Sequence, residues 1–128
     1  MTNEPSAQPK PDRGPELAFP RSSRILRSAD FRTVYDHGIR VSTPLFAAFC
    51  RARDSRDGAR VGLTTPRALG GAVVRNRIKR RLREAFRIHR AEFGPQWDIV
   101  LNPRRAALDA PFFEIERALR KVIEKCGH

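Results

Sequence analysis

The sequence predicts an α+β fold: a single compact α/β sandwich in which helices pack on a small sheet, in the order α-β-β-α-β-α. Three segments carry apolar residues at helical spacing, and three others are short, apolar and bounded by turn residues. The two kinds of segment are interspersed without an internal repeat, which favours one layered domain. A chain of 128 residues is long enough for a single modest core.

A helix and two strands are predicted for the first half of the domain. Residues 28–38, SADFRTVYDHG, combine an N-cap, three apolar residues on one face and a terminal glycine. These residues are Ser28, then Phe31, Val34 and Tyr35, then Gly38. Residues 41–53 alternate in polarity and are predicted to form a strand. The turn residues 54–58 lead to a second strand at 59–65, so we expect these two strands to pair as a hairpin.

A long basic helix, a third strand and a last helix are predicted for the second half. Pro66 and the pair Gly70–Gly71 break the chain before the basic helix. One side of that helix is continuously apolar, through Val74, Ile78, Leu82, Ala85, Phe86 and Phe93. Residues 97–103, WDIVLNP, are a strand candidate, and Asp109-Ala110-Pro111 opens the last helix. The apolar stripe of the last helix is Phe112, Ile115, Leu119, Val122 and Cys126.

The positive charge belongs to residues 21–128, which we expect to form the folded domain. Residues 1–20 hold five of the ten prolines and few apolar residues, so a disordered tail is predicted there. The tail has two basic and three acidic residues, a net charge of −1. The remaining 24 basic and 11 acidic residues give +13, which accounts for the total of +12.

This excess of positive charge indicates a polyanionic partner, either nucleic acid or an anionic membrane surface. No stretch approaches 18 apolar residues and no apolar signal core is present, so a cytoplasmic protein is expected. A membrane-surface helix would need its apolar side free for lipid, whereas here the core needs that side. Nucleic acid is therefore favoured. Cys50 and Cys126 are expected to be reduced and semi-buried.

The basic helix is unusual in its polar side. Between Arg75 and Arg90, eight of sixteen residues are Lys or Arg, and only Glu84 opposes them. Like charges at helical spacing repel, and a solvated face normally mixes both signs, so phosphate binding is the better interpretation. Two lines of polar residues are predicted, Arg75, Lys79, Arg83 and Arg90, with Asn76, Arg80 and Arg87 beside them. Asn76 can bond a ribose, a base or a phosphate, or stabilise the helix start.

Residues 60–86, RVGLTTPRALGGAVVRNRIKRRLREAF, resemble the protein subunit of bacterial ribonuclease P. The family signature is R-N-R followed by I-K-R, here Arg75-Asn76-Arg77 and Ile78-Lys79-Arg80. Residues 28–38 resemble the family's first helix, and the resemblance covers roughly residues 24–125. It implies a left-handed crossover between parallel strands, where topology rules alone predict a right-handed one.

The resemblance also implies two binding surfaces. The signature helix would contact the catalytic RNA subunit, through Arg75, Asn76, Arg77, Lys79 and Arg80. Arg67 keeps one cation of the preceding loop, in which Ala68 and Gly71 replace the usual Lys and Asn, and Arg83 extends the basic line. A cleft would hold the 5′ leader of precursor tRNA, with Phe31, Tyr35 and Phe49 as candidates and Arg51 on the strand face of Phe49. Aromatic rings beside arginines suit single-stranded nucleic acid, but a core role for these rings stays open.

No active site is predicted within the protein. The eleven acidic residues of the folded part are scattered, and His37, His89 and His128 lack metal-ligand spacing, with His89 expected to be semi-core. The resemblance implies a non-catalytic subunit of an endoribonuclease that removes 5′ leaders from tRNA precursors. Mg²⁺ would be held mainly by the RNA subunit and substrate, and the partners would be those two RNAs, with no membrane or protein partner. A general RNA-binding module of ribosomal-protein type is the alternative, and a self-sufficient nuclease is disfavoured.

Overall fold

The computed structural model describes residues 24–25 and 27–126, so the predicted tail at residues 1–20 lies outside the described residues. The described residues form three α-helices: α1 (Ser28–His37), α2 (Ala72–His89) and α3 (Phe112–Cys126). They also form four strands: β1 (Ile39–Ser42), β2 (Phe46–Ala52), β3 (Arg60–Leu63) and β4 (Trp97–Pro103). They form one sheet in the order β1-β2-β4-β3, in which only β3 and β4 are parallel. The predicted α+β sandwich is confirmed.

The predicted strand 41–53 is two strands, because a tight turn interrupts it at Thr43 and Pro44. Thr43 Oγ1 donates to the carbonyl of Phe46 at 2.8 Å and accepts from the backbone N–H of Phe46 at 3.0 Å. Pro44 has no N–H to offer a neighbouring strand. The chain therefore reverses, and β1 pairs antiparallel with β2 from Ile39↔Cys50 to Ser42↔Ala47. The order of helices and strands is otherwise as predicted.

The predicted hairpin between 41–53 and 59–65 is wrong, because β4 lies between β2 and β3. β4 is buried along Asp98–Leu101, which suits a central strand covered on both faces. Arg53 links the start of β4 to the loop between β2 and β3. Its guanidinium donates to Asp98 Oδ1 at 2.8 Å, to the carbonyl of Trp97 at 3.1 Å and to that of Gly58 at 2.5 Å.

The two faces of the sheet have different cover. One face packs on α2 and α3 and forms the main core, whose largest fully buried members are Phe46, Phe86, Ile78, Leu82, Ile99, Leu101, Ile115 and Leu119. Cys50 and Cys126 are free thiols buried completely in this core, deeper than the semi-buried positions predicted. The other face lies under α1, where Ile25, Val34 and Val100 form a small second cluster.

Two local predictions concern the ends of α1 and the crossover. Ser28 is the first residue of α1 rather than its N-cap, whereas Gly38 ends the helix with its N–H donating to the carbonyl of Val34 at 2.7 Å. α2 connects the parallel neighbours β3 and β4, as the resemblance implies. The left-handed sense of that crossover stays a prediction.

Among the described residues, no helix has the length and apolar character needed to span a membrane.

Candidate nucleic-acid interface

The start of α2 presents open backbone N–H groups. Gly71 is the N-cap, no side chain caps this end, and the first turn contains no acidic residue. The chain reaches this point through Gly70, whose φ of 140° suits glycine alone. The first N–H groups of a helix have no intrahelical acceptor and carry partial positive charge, so this end can receive an anion.

The outward face of α2 carries polar groups that the protein itself does not use. Asn76, Arg77 and Arg80 are exposed and Lys79 is half-buried. None of these four side chains makes a hydrogen bond or ion pair with residues 24–25 or 27–126. Arg67 is also exposed, in the short 3₁₀ turn Arg67–Leu69 that precedes the helix. This outward-facing set is where the sequence predicted RNA contact, and its charge is uncompensated within the described chain.

Arg75 and Arg83 lie on the flank of α2 and are half-buried. Arg75 Nε donates to the carbonyl of Gly70 at 3.2 Å, which orients the guanidinium beside the open end of the helix. Burial and the positive charge of Arg24 lower the pKa of Arg83. Like charges placed together in this way favour the arrival of a bound anion.

Three neighbouring cations, two in α2 and one directly after it, contact the protein itself instead. Arg81 donates to the carbonyls of Ala107 at 2.7 Å, Leu108 at 2.9 Å and Ala110, which ties α2 to the turn before α3. Arg87 pairs with Glu84 at 2.6 Å. Arg90 Nε donates to the carbonyl of Ala59 at 2.8 Å. Of the basic residues predicted to lie along this side, Arg87 and Arg90 are thus already engaged within the protein.

The α1 side of the sheet holds an aromatic pair flanked by arginine. Tyr35 and Phe49 pack edge to face, with ring centroids 5.0 Å apart and an interplanar angle of 73°. The Arg40 guanidinium lies 5.9 Å from the centre of the Phe49 ring, within cation–π range. Tyr35 is 37% exposed, so part of its ring is open to solvent. The structure thus brings two of the predicted cleft residues together and adds Arg40, which was missed.

Phe31 is half-buried and, like Phe49, packs against the small cluster of Ile25, Val34 and Val100. Its ring occupies the space above Gly62, where an added Cβ would come within 2.6 Å of Phe31 Cζ. The absence of a Cβ at Gly62 therefore leaves room for the ring against β3. Phe31 supports the floor of the cleft from the core.

Arg51 points to the cleft face without a partner among the described residues. The neighbouring carboxylate on this face, Asp98, is already held by Arg53 at 2.8 Å and Arg60 at 2.7 Å. The hydrogen bond to Asp98 raises the pKa of Arg60 against the opposing effect of burial. Because Asp98 is neutralised by these two arginines, the positive charge of Arg51 remains available to a ligand.

Asn102 and Thr64 complete the cleft and were not among the predicted residues. Asn102 Oδ1 accepts hydrogen bonds from Tyr35 Oη at 2.7 Å and Thr64 Oγ1 at 2.6 Å. Asn102 lies opposite Ala47, two residues from the Val100↔Phe49 pair on the same sheet face. The alternation of Asp98, Val100 and Asn102 along β4 was the available signal, because side chains two apart share a face.

His89 makes structural contacts with two carboxylates, those of Glu92 and Glu116. His89 is buried, with Nδ1 2.5 Å from Glu92 Oε2 and Nε2 2.8 Å from Glu116 Oε2. Burial alone lowers the pKa of His89, but the hydrogen bonds and charges of Glu116 and Glu92 raise it by more. Within the described ranges, no three His, Cys, Asp or Glu side chains are grouped for a metal ion.

Comparison with known proteins identifies the family. The family model described as Ribonuclease P matches residues 19–127. The chain belongs to the ribonuclease P protein family. It is similar to the ribonuclease P protein component of Maridesulfovibrio salexigens, at 41% identity over 112 residues that cover 87% of this chain and 90% of the relative. The component from Exiguobacterium sibiricum is 31% identical over 104 residues, covering 81% and 90% respectively.

Solved ribonuclease P proteins share the fold. The Staphylococcus aureus structure at 2.0 Å gives a TM-score of 0.72 at 32% identity, covering 83% of this chain and 98% of that one. The Thermotoga maritima protein gives 0.72 at 25% identity, covering 82% and 98%. The resemblance seen in residues 60–86 is thus confirmed. As a ribonuclease P protein component, the chain is part of an endoribonuclease whose other component is the ribonuclease P RNA.

Proposed function

We propose that this ribonuclease P protein component assists the catalytic RNA in endonucleolytic removal of the 5′ leader from precursor tRNA. The observation that carries the proposal is the presence of two separate surfaces of complementary chemistry. The exposed polar face of α2 has cations without protein partners, and the α1 side of the sheet has an aromatic pair beside Arg40 and Arg51. The folded RNA-binding domain is proposed to extend over residues 21–128.

The α2 surface is proposed to bind the RNA subunit. Arg77, Lys79 and Arg80 would contact phosphates, and the open N–H groups at the start of α2 would donate to one further phosphate. Two RNAs that meet in one complex repel each other, and distributed cations reduce that repulsion. Less Mg²⁺ is then needed for the catalytic RNA to hold its substrate.

The cleft is proposed to bind the 5′ leader. The Tyr35–Phe49 pair offers ring surface on which unpaired bases stack, while Arg40 and Arg51 attract the backbone phosphates. Mature tRNA has no leader and makes none of these contacts. The cleft therefore favours binding of precursor tRNA over binding of mature tRNA, the product.

The RNA subunit is proposed to carry out the chemical step. The holoenzyme is proposed to lie in the cytoplasm. Within the described residues, six carboxylates pair with arginine or histidine side chains: Asp30, Glu84, Glu92, Asp98, Glu114 and Glu116. Mg²⁺ bound mainly by the RNA subunit and substrate would activate the attacking water and stabilise the leaving oxygen. The protein has no active site of its own in this proposal.

Single-turnover cleavage tests the proposal. A precursor tRNA is incubated with a bacterial ribonuclease P RNA at low Mg²⁺, with and without this protein, and protein alone is the control. Rescue of cleavage that requires both components is expected. Binding to the RNA without rescue would instead support a general RNA-binding module. Cleavage by protein alone would support a self-sufficient nuclease.

A further inference from the structure

Asn102 has a side-chain amide whose two ends face different surroundings. The amide lies at the wall of the cleft, next to the Tyr35 hydroxyl and two residues along the sheet from the Phe49↔Val100 pair. Its cross-strand neighbour is Ala47, which is 7% exposed. Since the Tyr35 hydroxyl donates to the amide, a planar group that reaches Asn102 would also lie beside the aromatic pair.

The hydrogen bonds fix which end of the amide faces the cleft. Tyr35 Oη and Thr64 Oγ1 lie 2.7 Å and 2.6 Å from Asn102 Oδ1. Distances this short are typical of O–H···O bonds, whereas N–H···O bonds are usually about 2.9–3.0 Å long. Both hydroxyls thus donate to the amide oxygen, and its two lone pairs are used.

The Nδ2 group then remains as an unused donor. No described residue accepts a hydrogen bond from it. Nδ2 is also not among the buried side-chain polar atoms that lack a hydrogen bond in the described part of the chain. Nδ2 therefore meets solvent in the cleft, where it offers two N–H donors and no acceptor.

We propose that Asn102 is a specificity-determining residue for the leader, through a hydrogen bond from Nδ2 to the base that stacks on Tyr35 and Phe49. The inference rests on the proposed function of the cleft. A donor that is held in one orientation can donate only to a carbonyl oxygen or an unprotonated ring nitrogen of a base, and it disfavours an amino group. In the proposed function, Arg40 and Arg51 attract the phosphates, so the base is the group left to bind Asn102.

Binding constants of the reconstituted holoenzyme test this role. Precursor tRNA with an eight-nucleotide leader is compared with the same RNA carrying a one-nucleotide leader. Asn102→Ala should weaken binding of the long-leader substrate by about two- to twelvefold, the range for one neutral hydrogen bond, and leave the short-leader substrate unchanged. Asn76→Ala on α2 is the matched control, and it should weaken both substrates equally.

A second variant separates recognition from folding. Asn102→Asp has nearly the same size and keeps an oxygen that accepts from Tyr35 and Thr64, but it lacks the N–H donors. It should retain the Tm of the wild type and still lose the preference for the long leader. Retention of the full preference in either variant would overturn the inference.

An abasic scan of the leader locates the contact. One leader position should respond to loss of its base in the wild type and not in Asn102→Ala, because both changes remove the same hydrogen bond. Additive effects at every position would show that Asn102 acts only through Tyr35, and the inference would fail. If the wild type itself binds long and short leaders equally, the proposed function of the cleft fails as well, which distinguishes the two outcomes.

Discussion

Gly70 and Gly71 are adjacent, yet the structure needs a glycine only at the first of them. Gly70 has φ of 140° and ψ of −170°, and an added Cβ would lie 3.1 Å from Val74 Cβ. Gly71 has φ of −71°, and no atom lies within 4 Å of the place its Cβ would take. The family resemblance implies Asn at the second position, so Asn can be placed at each site in turn as a matched pair of variants.

Gly70→Asn should lower the free energy of unfolding by about 1–3 kcal/mol, because only glycine adopts this backbone conformation without strain. Gly71→Asn should be neutral or stabilise by a few tenths, at most about 0.5 kcal/mol, since Asn is a good N-cap and the space is open. Urea denaturation of both variants measures the difference. Equal losses would mean that the turn, rather than the backbone angle at Gly70, limits stability.

At the scale of elements, α2 divides its cations between two tasks. Arg80 is exposed and unpartnered within the described residues, whereas Arg81 holds three carbonyls near the start of α3. The two are neighbours in sequence with the same charge. Helical geometry turns them about 100° apart, so one faces solvent and the other faces the protein.

Arg80→Gln should leave the unfolding free energy unchanged and reduce the log–log salt slope of RNA binding by about 0.7–0.9, the value of one phosphate contact. Arg81→Gln should lower the unfolding free energy by about 1.5–3 kcal/mol and leave the salt slope unchanged. Filter binding of the RNA subunit across a salt series, with denaturation in parallel, measures both. The opposite assignment of effects would contradict the division of α2 described above.

His89 links α2 to α3 through a protonation-dependent contact. Its pKa is raised in the folded protein above the ordinary value of 6.5, because Glu116 and Glu92 favour the charged form more than burial opposes it. The stabilisation is therefore fully present below about pH 6.5, the unfolded pKa, and is lost as pH rises through the folded pKa. The α2–α3 contact should weaken at alkaline pH.

Tm measured from pH 6 to 9 should fall with rising pH in the wild type. Glu116→Gln should reduce this fall, because the neutral amide no longer favours protonated His89. Glu124→Gln, which changes an exposed residue elsewhere on α3, is the control and should leave the profile as it is in the wild type. A profile that is the same in all three proteins would exclude His89 as its source.

At the scale of the whole molecule, the sheet separates the two proposed binding surfaces. α1 and the cleft lie on one face, and α2 and α3 lie on the other. Tyr35 and Arg80 share no partner. Changes at the two surfaces should act on binding independently, since distant sites without common contacts usually have additive energies.

Tyr35→Ala should weaken binding of leader-bearing precursor by about 1–3 kcal/mol through lost stacking, with no effect on mature tRNA. Combined with Arg80→Gln, the loss should equal the sum of the single losses within about 0.5 kcal/mol. A double-mutant cycle on holoenzyme affinity measures this. A larger coupling would indicate that both residues contact one continuous ligand surface. Equal losses on mature tRNA would assign Tyr35 to general binding.

The sequence by itself determined the features that depend on local spacing. The amphipathic pattern of α2, the R-N-R signature at its start and the terminal Gly38 of α1 were each readable, because every residue involved lies within one or two turns of the others. The fold class followed from the same periodicities. The placement of Asn76, Arg77 and Arg80 on the outward face needed only the helical repeat.

Only the tertiary structure decided which groups have partners, because those partners come from remote parts of the chain. Arg81 meets carbonyls 26–29 residues away, Arg90 meets one 31 residues away, and neither can be distinguished from Arg80 by composition. The pairing of β2 with β4 instead of β3 likewise depends on contacts across 45 residues, such as Arg53 with Asp98. Asn102 became visible as a cleft residue only when folding brought Tyr35 and Thr64 to its amide oxygen, across 67 and 38 residues.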